Sequence, residues 1–516
     1  MRQYGDSTVY LIGAGPGDPD LITVRGREAL AACDAVVYDN LVPGELVVSL
    51  PESVERYYAG KQAGRHVMPQ EEINRLLVKL AREGRNVARL KGGDPLLFGR
   101  GGEEARFLRD NGVRYEIIPG ITAGIGGLAY AGIPCTDRTR ASHVTFVTGH
   151  KAGDRDDPEM PWDCFAAAQS GTLVVYMGVS EATDIVESLL SGGMPPHTPA
   201  AVVERATVPT QRVFTTRLGR LPEVMLRNNV RPPALLCIGD VVELQPLIEW
   251  YGGRPLFGKR IMVTRPADQA QDVYRTLRRL GAEVLPYPTI ATREITERDV
   301  WANIDVISAE KQWLVFTSEN GVRYFINQFT NEMGDLRRLG RFKIAAVGAG
   351  TARALKRSSL VPDFVPDKAT VADLAKQMKA KLDIQDAVVV RVQGNLSDET
   401  VPDVLSSAGA KVIRLTVYET YNPEWPPGFK ERLLANPPDV IMFSSGSTVY
   451  GFGRRLSEDE IQMVTRHARI VSIGPMTSKH IREHGMKVAL EAQQHSIPAM
   501  VDEIVSYLGQ ETYEGL

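Results

Sequence analysis

The stretch VYLIGAGPGDPDLITVRGREAL, residues 9–30, constrains this chain most. Val9 to Ile12 read as a buried strand. Gly13, Gly15 and Gly17 follow at once, so the backbone turns without side chains where it leaves that strand. A strand, a glycine turn and a helical segment open a βα unit. The turn then lies at the strand end, where parallel sheets take their ligands. Pro16, Asp18 and Pro19 set it apart from an ordinary dinucleotide loop. A G-x-G-x-x-G fingerprint starting at Gly13 needs Gly at position 18, which is Asp. The run specifies a nucleotide-like ligand and argues against the commonest such fingerprint.

The same βα rhythm continues through the chain. DAVVY (34–38), NVARL (86–90), HVTFVT (143–148), TLVVYM (172–177), RIMVT (260–264), AVVVR (387–391) and DVIMF (439–443) alternate with helical segments. This predicts an α/β protein built mainly on parallel sheets. With 516 residues the chain has room for about three units of roughly 150 residues. The Pro- and Gly-rich stretch 246–258 reads as an interdomain linker, with the parts on either side folding separately. GLAYAGIPC (127–135) reads as a turn between two lobes of the first half.

A net charge of −3 offers no global field for nucleic acid or an anionic membrane, so a polyanionic small substrate would need a local basic pocket. Cys33, Cys135, Cys164 and Cys237 form no C-x-x-C, which suits a reducing cytoplasm and argues against disulfides or structural zinc. No apolar run is long enough for a signal peptide or a membrane span.

The second half repeats itself. GAEVLPYP (281–288) echoes GAKVIRLT (409–416), FTSENGV (316–322) echoes FSSGSTV (443–449), and AVGAGTARAL (346–355) echoes SIGPMTSKHI (472–481), at offsets of 128, 127 and 126. Near-equal offsets predict two similar α/β subdomains, and on the repeat alone they would follow one another along the chain. A cleft between such subdomains would be the natural ligand position.

Two further strand-end elements accompany the first loop: LKGGDPLLFGRGGEE (90–104) and PGITAGIGG (119–127). Together with YDNLV (38–42), GK (60–61), TGH (148–150), VVYMGV (174–179) and PALLCIGDVV (233–242), they resemble the uroporphyrinogen-III C-methyltransferases of the tetrapyrrole methylase superfamily. The resemblance covers residues 7–245. It implies a two-lobed α/β domain binding S-adenosylmethionine in the interlobe cleft, with cofactor contacts at Pro16, Gly92, Gly93, Asp94, Leu97, Thr122, Ala123, Met177 and Ala206. It implies Asp39 as proton acceptor and Lys61 as proton donor, and places Arg100, Glu103 and Arg138 at the substrate, whose many carboxylates suit guanidinium forks. Read by spacing alone, Asp39 could instead be a ribose carboxylate. For Asp39 and Lys61 a solvated surface charge is the alternative. Arg140 and Lys151 are near in sequence and could add to the basic field.

The second half is similar to uroporphyrinogen-III synthase. The carriers are VTRP (263–266), FTSENGV, VGAGTA (347–352), RVQGN (391–395), VYETY (417–421), FSSGS (443–447) and SIGPMTS (472–478). That resemblance implies cofactor-free closure of hydroxymethylbilane with inversion of ring D, and cleft positions at Thr351, Tyr418, Ser444, Ser445 and Thr477. Tyr418 is implied to lie near the leaving hydroxyl, where it could supply a proton; a half-buried hinge tyrosine is the alternative. The implied fold crosses twice, near YPTI (287–290) and VYETY, giving subdomains of about 259–290 plus 422–516, and 291–421.

The expected whole is a cytoplasmic bifunctional enzyme: a methylase at 1–245, the linker 246–258 and a synthase at 259–516. It would convert hydroxymethylbilane to uroporphyrinogen III and then to precorrin-2, toward sirohaem or cobalamin. No nucleic acid, membrane or metal partner is expected, and a homodimer through the methylase half is compatible with the resemblance. The alternative is a methylase of another precorrin fused to a non-catalytic tetrapyrrole-binding module. HIREH (480–484) satisfies H-x-x-E-H without an evident third ligand and reads as a solvated helix. VGAGTARAL (347–355) lacks the third glycine of a dinucleotide site.

Overall fold

A computed structural model describes residues 7–60, 68–149, 160–168, 170–296, 310–397 and 400–513. The chain forms two compact units, one of residues 1–289 with 424–516 and one of residues 290–423. Among the described residues the architecture is α/β with four five-stranded sheets, three in the first unit and one in the second.

The first sheet runs in the order Glu55–Tyr58, Ala35–Tyr38, Val87–Lys91, Val9–Gly13, Tyr115–Ile118 and is parallel throughout. Its central strands are buried on both faces, so Val9–Gly13 and Ala35–Tyr38 read as apolar runs without alternation, and Val87–Lys91 buries two charges. All five carboxyl ends therefore lie at one edge. The glycine turn, the KGGDP loop and the PGIT loop leave from that edge.

The second sheet departs from the expectation of parallel pairing. Its order is His143–Thr148, Gly171–Tyr176, Ala234–Ile238, Pro199–Glu204, Arg212–Arg217, and every pair after the first is antiparallel. Pro199–Glu204 and Arg212–Arg217 are joined by too short a connection for a crossover. Ala234–Ile238 then returns between two earlier strands. Strand composition carries no direction, which is why the run of apolar segments did not disclose this. Residues 127–130 belong to the helix Ala123–Tyr130, so only the latter part of GLAYAGIPC is a turn.

The other two sheets share one plan. One runs Glu283–Pro286, Arg260–Val263, Val440–Phe443, Arg469–Ser472, Val488–Glu491; the other runs Ala291–Glu294, Lys411–Tyr421, Val388–Gly394, Gln312–Phe316, Lys343–Ala346. Strands related by the internal repeat occupy equivalent sheet positions: 283–286 with 411–421, 440–443 with 312–316, and 469–472 with 343–346. The repeat is real, but its units are not sequential subdomains. Each sheet takes two strands from one repeat and three from the other, because the chain leaves the first unit after Thr289 and re-enters it at Glu424.

Within the first unit, Tyr38, Leu46 and Val47 share an apolar core with Leu285, Tyr287, Phe429 and Phe443. Each fully buried side chain of this size contributes about 1.5–3 kcal/mol. In the stretch 246–258, Tyr251 and Leu256 are buried and Gln245–Ile248 is helical. The Tyr251 hydroxyl donates to the Thr207 carbonyl at 3.1 Å. The segment is anchored at Tyr251 and Leu256, while residues 246–250 are exposed.

Candidate functional site

Three loops meet at the carboxyl edge of the first sheet, and they meet backbone to backbone. Gly93 N donates to Gly15 O at 2.7 Å, and Gly15 N donates back to Gly93 O at 3.3 Å. A Cβ on Gly13 would lie 2.5 Å from Gly120 Cα, and one on Gly120 would lie 2.2 Å from Gly93 O. No side chain fits at these crossings. Asp94 ties the second loop to the third: Oδ1 accepts from Leu96 N at 2.8 Å and Leu97 N at 3.2 Å within its own loop, and Oδ2 accepts from Gly120 N at 3.0 Å. Its carboxylate shapes the loops, a role that strand-end position alone did not reveal.

The helix Ala123–Tyr130, entered from Thr122, carries glycines where other loops press on it. Cβ atoms at Gly124, Gly126 and Gly127 would lie 2.5 Å from Tyr176 Oη, 3.0 Å from Pro16 Cγ and 2.6 Å from Ala206 Cβ. Pro16, Ala206 and Tyr176 thereby press closely on this one helix. Tyr176 Oη shares a 2.6 Å hydrogen bond with Thr122 Oγ1 and accepts from Gly124 N at 2.6 Å. Burial pushes its phenol above the ordinary value, so it is neutral at physiological pH. Phe98 packs against it at 5.0 Å between ring centroids. Phe98, Arg100 and Met177 all take left-handed backbone conformations, with φ of 54°, 58° and 52°. Such conformations cluster at ligand sites. Tyr176 is a residue the sequence reading passed over; its signal was its place beside Met177 in VVYMGV.

Asp39 follows the strand Ala35–Tyr38. Its Oδ1 accepts from Leu41 N at 3.0 Å, and its Oδ2 stands 3.7 Å from Arg89 Nη2. The turn closes on Gly92, where a Cβ would lie 2.7 Å from Leu41 Cβ. Behind Asp39 lies a buried charge cluster. Glu104, with no exposed surface, accepts at Oε1 from Arg89 Nε at 3.2 Å, Lys91 Nζ at 2.9 Å and Gln70 Nε2 at 3.0 Å. Burial, and then the neighbouring Arg89, lower the Lys91 ammonium below its ordinary value. Sequence reading missed Glu104 because GRGGEE looks like a charged helix start. The signal was VARLK, a strand with two charges that the sheet interior must pair.

Arg100 and Glu103 form a two-bonded pair at 2.9 and 2.8 Å on the exposed start of the helix Gly101–Asp110. The bond from Arg100 holds the Glu103 carboxyl below its ordinary range. Arg138 is exposed on the turn before His143. Arg140 faces elsewhere, donating to Glu243 Oε2 at 2.7 Å. Lys61, Lys151 and His150 lie outside the described residues.

Each second-half candidate is placed within its own unit. In residues 290–423, Tyr418 Oη lies 3.2 Å from Ser318 Oγ, and its ring stacks on Tyr324 at 5.5 Å. Gly394 gives the ring room, since a Cβ there would lie 2.5 Å from Tyr418 Cζ. Thr351 is buried in the first turn of the helix Ala349–Arg357. In the other unit, Ser444 is half-buried at the end of Val440–Phe443, and Ser445 caps the helix Gly446–Arg455 in a reciprocal pair with Thr448. Thr477 is buried in the first turn of Pro475–Glu483. The repeat maps Thr351 onto Thr477 and Ser318 onto Ser445, and Ser318 also caps its own helix, accepting from Gly321 N. The 127-residue offset was the signal that could have found Ser318. His480 Nδ1 pairs with Glu483 at 3.1 Å and His484 Nδ1 meets His480 O at 2.9 Å, so the HIREH polar groups are engaged along their own helix.

Residues 8–222 match the family model of tetrapyrrole (corrin/porphyrin) methylases, and residues 271–502 match that of uroporphyrinogen-III synthase HemD. The porphyrin biosynthesis protein HemD of Ruminiclostridium josui is 34% identical over 98% of this chain and 99% of its own length. The siroheme synthase of Chromobacterium violaceum is 47% identical over 47% of this chain and 51% of its own, so this chain matches about half of that protein. Among solved structures, the uroporphyrin-III C-methyltransferase of Thermus thermophilus in complex with S-adenosyl homocysteine is 39% identical, covers 46% of this chain and 94% of that one, and has a TM-score of 0.40. The chain belongs to the family in which a tetrapyrrole methylase domain is fused to a HemD-type uroporphyrinogen-III synthase domain.

Proposed function

We propose that this protein makes uroporphyrinogen III from hydroxymethylbilane in its synthase half, residues 259–516, and methylates it twice to precorrin-2 in its methylase half, residues 1–245. S-adenosylmethionine is the methyl donor, and the work is done in the cytoplasm. The observation that carries the methylase reading is the meeting of three glycine loops at one sheet edge, two of them joined by the Asp94 carboxylate and the first by the paired Gly15 and Gly93 backbones. Around those loops Leu41, Leu96, Phe98, Ile125 and Met177 keep exposed apolar side chains. An adenosine or a flat tetrapyrrole would cover such a surface. The residues present therefore fit a nucleoside-bearing methyl donor.

When bound, S-adenosylmethionine supplies an electrophilic methyl group on a sulfonium. The chain's own task is to hold a pyrrole carbon in line with it, which the close backbone approach at Gly92 and Gly93 permits. After the new carbon–carbon bond forms, a skeletal proton must leave. Asp39 is the base, oriented by Arg89, which is itself anchored to buried Glu104. Lys61 is the proposed proton donor. Arg100, Glu103 and Arg138 meet the substrate's carboxylate rim.

In the synthase half, Tyr418 gives a proton to the departing hydroxyl of hydroxymethylbilane, with Ser318 as its hydrogen-bond partner. Thr351, Ser444, Ser445 and Thr477 hold substrate carboxylates through hydroxyls and the helix starts they occupy. Incubating the protein with uroporphyrinogen III and S-adenosylmethionine tests the methylase reading. Precorrin-2 is expected; absence of any methylated product would refute it.

A further inference from the structure

The methylase loops are held from outside by residues of the synthase half. Arg278, on the helix Gln271–Arg279, donates to Glu45 and, at 3.0 Å, to Asp20 Oδ2. Its side chain and that of Glu45 are nearly buried. Asp20 ends the GAGPGDPD loop, and Glu45 starts the helix that follows the Asp39 turn. Glu283, on the strand Glu283–Pro286, accepts from Arg205 Nη2 at 3.3 Å, Thr210 Oγ1 at 3.3 Å and Arg260 Nε at 3.3 Å.

These two grips converge. Arg205 and Thr207 flank Ala206 and both hold left-handed backbone conformations, with φ of 51° and 67°. Thr207 Oγ1 accepts from Asp18 N at 3.1 Å, joining the 205–207 turn to the first glycine loop. Tyr130 Oη donates to Asp18 Oδ2 at 2.8 Å, and Gly258 N donates to Pro209 O at 2.9 Å. Strained turns of this kind persist only where their surroundings over-determine them. Here part of those surroundings is the synthase half.

We infer that Arg278 and Glu283 are positioning residues for methyl transfer: the synthase half sets the two loops that carry Pro16 and Ala206, so affinity for the methyl donor depends on it. The inference rests on the proposed methyl donor, and the geometry extends it to a coupling between the two halves.

The test uses the full chain. Calorimetry with S-adenosylhomocysteine and steady-state methylation of uroporphyrinogen III are measured for wild type, Arg278→Gln, Arg278→Lys and Glu283→Gln. Cyclisation of hydroxymethylbilane is measured on the same samples. Arg278→Gln and Glu283→Gln should raise the KM for S-adenosylmethionine and the Kd for S-adenosylhomocysteine about 5- to 30-fold. Methylation kcat should stay within about twofold and cyclisation should be unchanged, while Arg278→Lys recovers part of the affinity. Unaltered Kd in both neutral variants overturns the coupling, and so does an equal loss of methylation and cyclisation, which would mark general unfolding. If Arg278→Gln fails to fold, Glu283→Gln alone decides. Failure of the wild type to bind S-adenosylhomocysteine would instead overturn the methyl-donor reading itself.

Discussion

Ser318 and Tyr418 hold their hydroxyl oxygens 3.2 Å apart, one at a helix cap and the other on the strand Lys411–Tyr421. The cap bond from Gly321 N to Ser318 Oγ at 2.9 Å fixes the serine, so the serine orients the phenol. Tyr418→Phe keeps the ring on Gly394 and Tyr324 and removes only the hydroxyl. Cyclisation should slow by about 10-fold or more if the phenol protonates the leaving group, and the type I isomer should rise relative to type III. Ser318→Ala should move the isomer ratio the same way by less. Chromatography of the two isomers reads both effects, and an unchanged ratio in Tyr418→Phe removes its catalytic role.

Asp94→Ala deletes the acceptor of three backbone N–H groups and should loosen the KGGDP loop and free it from the PGIT loop. Losing charge-assisted bonds costs about 1.5–3 kcal/mol, so S-adenosylhomocysteine affinity should fall roughly 10- to 150-fold. Calorimetric titration of the folded variant reads this directly. Cyclisation, which has no need of these loops, should persist.

Glu104→Ala leaves Arg89 and Lys91 buried without their shared carboxylate. Removing one partner of a buried ion group typically costs about 3–5 kcal/mol. A lowered melting temperature is expected, together with slower methylation because Arg89 no longer orients Asp39. A variant as stable as wild type would show that water reaches these cations.

Alkaline pH should unfold the protein. Burial raises the Cys33 thiol to about 11 and the Tyr287 phenol to about 12. It also raises the phenols of Tyr38, Tyr130, Tyr251 and Tyr274. Each of these groups ionises in the unfolded chain before it ionises in the folded one. The folded state therefore binds more protons above about pH 9, and stability falls from there to about pH 12. Lys91 works the other way, because its lowered value means the unfolded chain binds the extra proton, but it is one group against several. Thermal melts across that range should show a steadily falling midpoint; a flat profile would contradict the burial of these phenols.

The strand-end loops were legible because each carries its constraint locally. Glycine, proline and aspartate at a strand exit define a backbone path whatever surrounds them. Glu104 and Tyr176 were not, because their roles arise from partners outside their own motif: Glu104 from charges on the strand 13–15 residues earlier, Tyr176 from a helix start 52–54 residues away. The antiparallel second sheet and the exchange of strands between repeats are properties of connections, and strand composition does not encode them. Arg278 stands outside every motif named in the sequence. Its meaning comes from Asp20 and Glu45, more than two hundred residues earlier.

The most direct test supplies hydroxymethylbilane to the full chain, with and without S-adenosylmethionine, and identifies the products. Without the methyl donor, uroporphyrinogen III should accumulate, in excess of the type I isomer formed by unassisted closure. With it, precorrin-2 should appear in its place. Type I isomer alone in the first reaction, or unmethylated uroporphyrinogen III alone in the second, would contradict a chain that performs both steps.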